Sequence, residues 1–103
     1  MRRTKVTFDN EKLQYSCELM RALAHPLRLR ILAFIDKHGS IHVNKIYNTL
    51  KLEQSITSQH LRILRLAGVV SAEKEGKFMV YSINYPIVEK ASMAVDNYVE
   101  ASA

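Results

Sequence analysis

Across residues 54–67, six polar side chains gather on one side of a helical wheel drawn at about 100° per residue. Gln54, Ser55, Ser58, Gln59, Arg62 and Arg65 fill an arc of roughly 140°, with Ile56, Thr57, Leu61, Leu64 and Ala67 outside it. Amides and hydroxyls stand near the start of this stretch, guanidinium groups toward its end, and no carboxylate interrupts them. Gln and Arg make bidentate hydrogen bonds to base edges, Ser donates to a base or a phosphate, and a helix N-terminus favours an anion. Those are the parts of a helix that enters the major groove of double-stranded DNA. A polar face is ordinary on a surface helix, but ordinary faces mix signs. The missing acid carries the reading.

The rest of the chain must present that helix. At 103 residues there is room for a single domain, taken as residues 1–103. A hydrophobic share of 48%, with only 3 glycines and 2 prolines, excludes disordered and Pro-rich classes. The formal net charge of +5 favours a polyanion as partner. Charges such as Arg28 and Arg30 break every apolar stretch before it reaches membrane-spanning length, so no membrane partner is expected. The lone Cys17 cannot form a disulfide within the chain, and no apolar leader follows Met1-Arg2-Arg3, so a cytoplasmic location is expected.

Apolar residues at helical spacing predict a first helix over residues 9–24, with Asp9 as N-cap and Leu13, Cys17, Met20 and Leu23 on one stripe. Pro26 opens a second helix, which carries Leu27, Ile31, Phe34 and Ile35 inward and stops at Gly39. Residues 40–42 read as a strand fragment. Residues 43–51 read as a short helix with Ile46, Tyr47 and Leu50 on one face, and a tight turn at Leu52-Glu53 leads into the helix of residues 54–67, which Gly68 closes. Residues 69–74 and 78–84 flank Glu75-Gly76 as a hairpin, and Pro86 opens a last amphipathic helix over about residues 86–101. The order α-α-β-α-α-β-β-α is mainly helical with a small β-hairpin. It is the layout of a winged helix-turn-helix.

Three ordered motifs support a named resemblance. Arg21 to Leu32, reading RALAHPLRLRIL, resembles the second-helix signature of ArsR-type winged-helix repressors; Gln54 to Val70, reading QSITSQHLRILRLAGVV, resembles their recognition helix and its exit; and Lys74-Glu75-Gly76-Lys77 with Tyr81 resembles their wing. The resemblance implies a homodimeric transcriptional repressor that leaves an operator when an effector binds. It places DNA contacts on Gln54, Ser55, Ser58 and Gln59, a phosphate contact on Arg62, and wing contacts on Lys74 and Lys77. Glu53 stands where the family's N-cap is usually Ser, so a frayed or shifted helix start is expected there. Ile56 replaces a residue that is often small or polar, and is read as packing inward or touching a thymine methyl.

The first and last helices lie outside the winged-helix core, and one domain of this size cannot hide both stripes on itself. A two-fold interface through Leu13, Cys17, Met20, Val88, Ala91, Val95 and Tyr98 is expected, although Cys17 taken singly reads as a small core residue. Metal-sensing members carry a Cys-x-Cys pair where this chain has His42 and Asn44, and its last helix offers Glu89, Asp96 and Glu100 without a histidine. Neither set is complete, so no metal or other cofactor is expected; His42 with a partner's carboxylate is the one arrangement worth testing. His25, His38 and His60 read as structural, with His60 on the inner side of its helix fixing the backbone. No paired catalytic carboxylates, Cys/His arrangement or phosphate-cradling loop points to an enzyme. A metal- or thiol-responsive repressor, and a winged-helix adaptor that binds protein, remain as alternatives.

Overall fold

The structure is a computed structural model that describes the backbone of residues 10–102 and the side chains of all of these except residues 10, 12, 13 and 94–102. The elements run α1 (Asn10–Leu23), α2 (Pro26–His38), β1 (Ser40–His42), α3 (Val43–Leu50), α4 (Gln54–Leu66), β2 (Val70–Glu75), β3 (Phe78–Ile83) and α5 (Tyr85–Ser102). Asp9, expected to cap α1, lies outside the described residues.

Local chemistry explains most boundaries. Pro26 occupies the first turn of α2, where its missing N–H costs nothing, and the His25 side chain caps that helix by accepting from the Leu27 N–H through Nδ1 at 3.2 Å. At the end of α4 the Val69 N–H reaches the Leu64 carbonyl at 2.9 Å and the Gly68 N–H reaches the Arg65 carbonyl at 3.0 Å. This paired closure needs a left-handed residue at Gly68, whose φ is 81°. Helix α3 closes the same way, with the Leu52 N–H on the Tyr47 carbonyl, but the left-handed position there is Lys51, at φ 56°.

The fragment of residues 40–42 is a full member of the sheet. It pairs antiparallel with β3, placing Ile41 opposite Tyr81, and the order β1-β3-β2 makes three strands where a bare hairpin was expected. The hairpin tip also differs. Glu75 pairs with Phe78, so the turn is Gly76-Lys77, with Gly76 at φ 61° in the first central position.

The core is one apolar cluster. Ile31 and Ile35 of α2, Ile46 of α3, Leu61 and Leu64 of α4 and Val69 are fully buried at its centre, with Leu19 of α1 and Ala91 of α5 at its edge. Helix α1 turns Leu19, Ala22 and Leu23 inward, which leaves Cys17 exposed on the other side. The core reading of Cys17 is therefore wrong for the protomer. Leu19 and Ala22, rather than Cys17 and Met20, took the core side of α1. Between α1, α2 and α5 lies an open apolar groove of about 570 Å³, lined by Met20, Leu23, Leu29, Leu32, Ile83, Tyr85 and Val88.

Candidate nucleic-acid interface

Helices α3 and α4 meet through the Lys51–Glu53 turn, and α4 is set by three buried side chains, Thr57, Leu61 and Leu64. Thr57 is polar and fully buried, and its hydroxyl donates to the Glu53 carbonyl at 2.9 Å while its N–H donates to the same oxygen at 3.0 Å. That pair of hydrogen bonds to one carbonyl secures the first turn. Helix α4 accordingly starts at Gln54 although the Glu53 side chain makes no cap, so the shift expected from Glu53 does not occur.

With Thr57, Leu61 and Leu64 turned inward, Gln54, Ser55, Ser58, Gln59, Arg62 and Arg65 are all exposed. Its first turn carries no acidic residue and its last turn carries Arg65, which suits the helix dipole. Ile56 is 39% exposed, so the inward reading fails and the side chain flanks the polar face. Leu66, 69% exposed, falls within the polar arc near the end of α4, and the exposed Ile63 lies beside it, so the carboxyl end of the face is partly apolar.

The wing is tied to the sheet edge by contacts of His42 and Glu75 that differ from the roles the sequence suggests for them, and by Phe78, to which it assigns none. His42 stacks on Phe78 with ring centroids 5.0 Å apart and planes 15° apart, and its Nε2 lies 3.8 Å from a Glu75 carboxylate oxygen. Lys77 Nζ stands 5.8 Å from the Phe78 ring centroid, and both Lys74 and Lys77 are exposed. The signal was present: once β1 pairs with β3, His42 sits opposite Val80 and diagonal to Phe78. His42 thus meets a carboxylate of its own chain. With an exposed amide at Asn44, it supplies no thiolate and does not fit a soft-metal site. Among the described residues no group of three or more His, Cys, Asp or Glu could hold a metal ion.

Behind α4 two arginines of α2 each close a neighbouring helix. Arg30 donates to the Leu50 carbonyl at the end of α3 at 3.3 Å. Arg28 donates through Nε to the Ala22 carbonyl at 2.7 Å and through a terminal nitrogen to the Arg21 carbonyl at 3.1 Å, and its other terminal nitrogen meets His60 Nδ1 at 3.2 Å. His60 therefore holds a side chain of α2 rather than the backbone.

Of the expected interface residues, Met20, Val88 and Ala91 come together along the groove between α1, α2 and α5. Cys17 and Met20 are exposed on α1, Val88 is half-buried, and Ala91 is 5% exposed and packed in its own core. The side chains of Leu13, Val95 and Tyr98, like those of Asp96 and Glu100, lie outside the described residues.

Residues 25–72 match the model of the arsR family of bacterial regulatory proteins. The chain is 39% identical over 87 residues to the transcriptional repressor PagR of Bacillus anthracis, covering 80% of this chain and 87% of PagR. The chain belongs to the ArsR family. An HTH-type transcriptional regulator of Methanocaldococcus jannaschii is 40% identical to it over 86 residues, covering 84% of this chain and 97% of that one. The crystal structure of PagR superposes with a TM-score of 0.70 at 37% identity, covering 84% of this chain and 99% of PagR. That match sets the five helices and the three-stranded sheet of this ArsR-family chain in a winged helix-turn-helix. Among the described residues no helix is long and apolar enough to cross a membrane.

Proposed function

We propose that this chain is a homodimeric, sequence-specific transcriptional repressor that binds an inverted-repeat operator and is released from it by a signal. In each protomer α4 enters the major groove. Gln54, Ser55, Ser58 and Gln59 face bases and nearby backbone, Arg62 faces a phosphate, and Lys74 and Lys77 of the wing reach the flanking backbone. The observation that carries this reading is the exposed, acid-free side of α4 set over a fully buried one. Membership of a family of regulatory proteins supports it, and so does the repressor activity named for PagR. An enzymatic role has no support in that family.

Dimerisation is read from the exposed apolar side chains of the groove, Met20 and Leu29, which a second copy would cover. Two-fold pairing through α1 and α5 would set the two α4 helices about 34 Å apart, one turn of duplex, or a multiple of that.

Selection of bound sequences from a random DNA pool tests binding, symmetry and spacing together. The expected outcome is an inverted repeat, bound with an affinity that falls steeply with salt at about 0.9 in log–log slope for each phosphate neutralised. No enriched sequence together with a flat salt response would return the chain to the adaptor reading.

A further inference from the structure

Arg28 joins three helices. Its guanidinium satisfies two of the carbonyls left open at the end of α1, those of Arg21 and Ala22, and places its charge at the negative end of that helix. Its remaining arm points at His60, in the middle of α4, on the side opposite Ser58 and Arg62. Arginine has no acceptor, so this contact exists only when His60 Nδ1 presents a lone pair and the ring carries its proton on Nε2. We infer that Arg28 and His60 are positioning residues for DNA reading: they lock α4 to the carboxyl end of α1, and the lock holds only while His60 Nδ1 is unprotonated.

This rests on the DNA reading above and adds a control on it. If α1 holds the partner protomer and α4 reads the duplex, the angle between them sets the spacing of the two reading helices. A proton on Nδ1 would set two donors against each other and open the contact. The surroundings oppose that proton. From the cap of α2, His25 faces His60 with ring centroids 4.8 Å apart, and from α2 Arg28 supplies a fixed cation; from α1, Glu18 and Arg21 line the cleft beside Arg28; on α4 itself the next cation is Arg62. Burial first, then His25 and Arg28, lower the His60 pKa from its ordinary 6.5. A lowered value means the neutral form stabilises the fold, fully above pH 6.5 and progressively less as pH falls through the lowered value.

The sign sets this effect apart from ordinary electrostatics. Acid adds positive charge to the protein and strengthens attachment to any duplex. Loss of the lock weakens attachment to the operator alone. The test is the ratio of affinities for the selected operator and a scrambled duplex, measured by fluorescence anisotropy with the full chain at constant ionic strength. The pH runs from about 7.5 to about 4.5, from above the ordinary imidazole range to well below it, because the His60 value is lowered. In the native chain the ratio should fall roughly tenfold on the acid side. His60→Asn places an amide oxygen close to where Nδ1 stands and does not titrate, so it should keep the ratio at neutral pH and lose most of its acid dependence. His60→Leu, which removes the acceptor, and Arg28→Lys, which keeps the charge but loses the fork, should each lower the ratio about tenfold at neutral pH.

Equal acid dependence in the native chain and His60→Asn overturns the inference, even if His60→Leu fails to fold. So does an unchanged ratio in folded Arg28→Lys. A native chain with no operator preference at neutral pH overturns the DNA reading itself, and this inference with it.

Discussion

The outward side of α4 and the groove between α1, α2 and α5 are both open to solvent in the protomer, yet opposite chemistries build them. Helix α4 shows amides, hydroxyls and guanidinium groups over a sealed apolar base. The groove shows Met20, Leu29 and Leu32, with the Tyr85 hydroxyl donating to Asp36 at 2.6 Å as its polar rim. Water suits the first surface and not the second. The first therefore reads as a surface for a polyanion and the second as a surface for another apolar face, and the two should respond oppositely to salt. Attachment to DNA weakens as counterions compete, whereas apolar association is held or strengthened.

The largest expected effect tests the groove. Leu29, 51% exposed although it lies within α2, should become Asp without loss of fold. Leu29→Asp should raise the dimer dissociation constant about a hundredfold, because burying an unpaired carboxylate costs several kcal/mol. Sedimentation across a concentration series checks this, with circular dichroism as the folding control. A variant that stays dimeric removes the groove from the interface.

Arg62→Ala makes the complementary test. It should weaken binding to every duplex by roughly fivefold and lower the salt slope by about 0.9 per protomer, with the dimer constant untouched. If Arg62→Ala instead changed sequence preference at constant slope, Arg62 would be a base reader and the division of labour along α4 would need redrawing.

A smaller effect sits at the groove's rim. The hydrogen bond to Asp36 raises the Tyr85 pKa above its ordinary 10.0, chiefly because the neutral phenol is the donor. The contribution is fully present below pH 10.0 and is lost as pH rises through the raised value. Unfolding midpoints followed on the alkaline side should therefore fall more steeply for the native chain than for Tyr85→Phe. Parallel curves would show that the contact does nothing in solution.

These contrasts were unevenly legible in the sequence. The α4 face was readable because it depends on local spacing alone, and Pro26, Gly39 and Gly68 marked helix ends through backbone rules that need no partner. What escaped depends on contacts far apart in the chain. Helical spacing shows that α1 has an apolar stripe with Cys17 in it, but only the packing of Leu19 and Ala22 against the core decides which stripe turns inward. A three-residue segment such as 40–42 has too few positions to show alternation, and becomes a strand when β3 offers its edge. The Arg28 contact with His60 spans 32 residues, so nothing local to either residue announces it.

The smallest effect concerns the turn that carries α4. Lys51 closes α3 at φ 56° and ψ 51°, a left-handed conformation that costs a side-chain-bearing residue about 1–2 kcal/mol. Glycine escapes that cost but gives back about 0.4–1 kcal/mol through the greater freedom of its unfolded chain. Lys51→Gly should therefore stabilise the protein by about 0.5 kcal/mol, the small difference of the two terms. Lys51→Ala, which removes the same charge and keeps the strain, is the reference that separates backbone from electrostatics. Denaturant unfolding of both variants reads the difference directly, and the dimer constant should be unaffected, since Lys51 lies away from the groove. If the alanine and glycine variants were both less stable than the native chain by the same amount, the Lys51 side chain would be holding the turn by its stem, and the link between α3 and α4 would rest on packing rather than on backbone conformation.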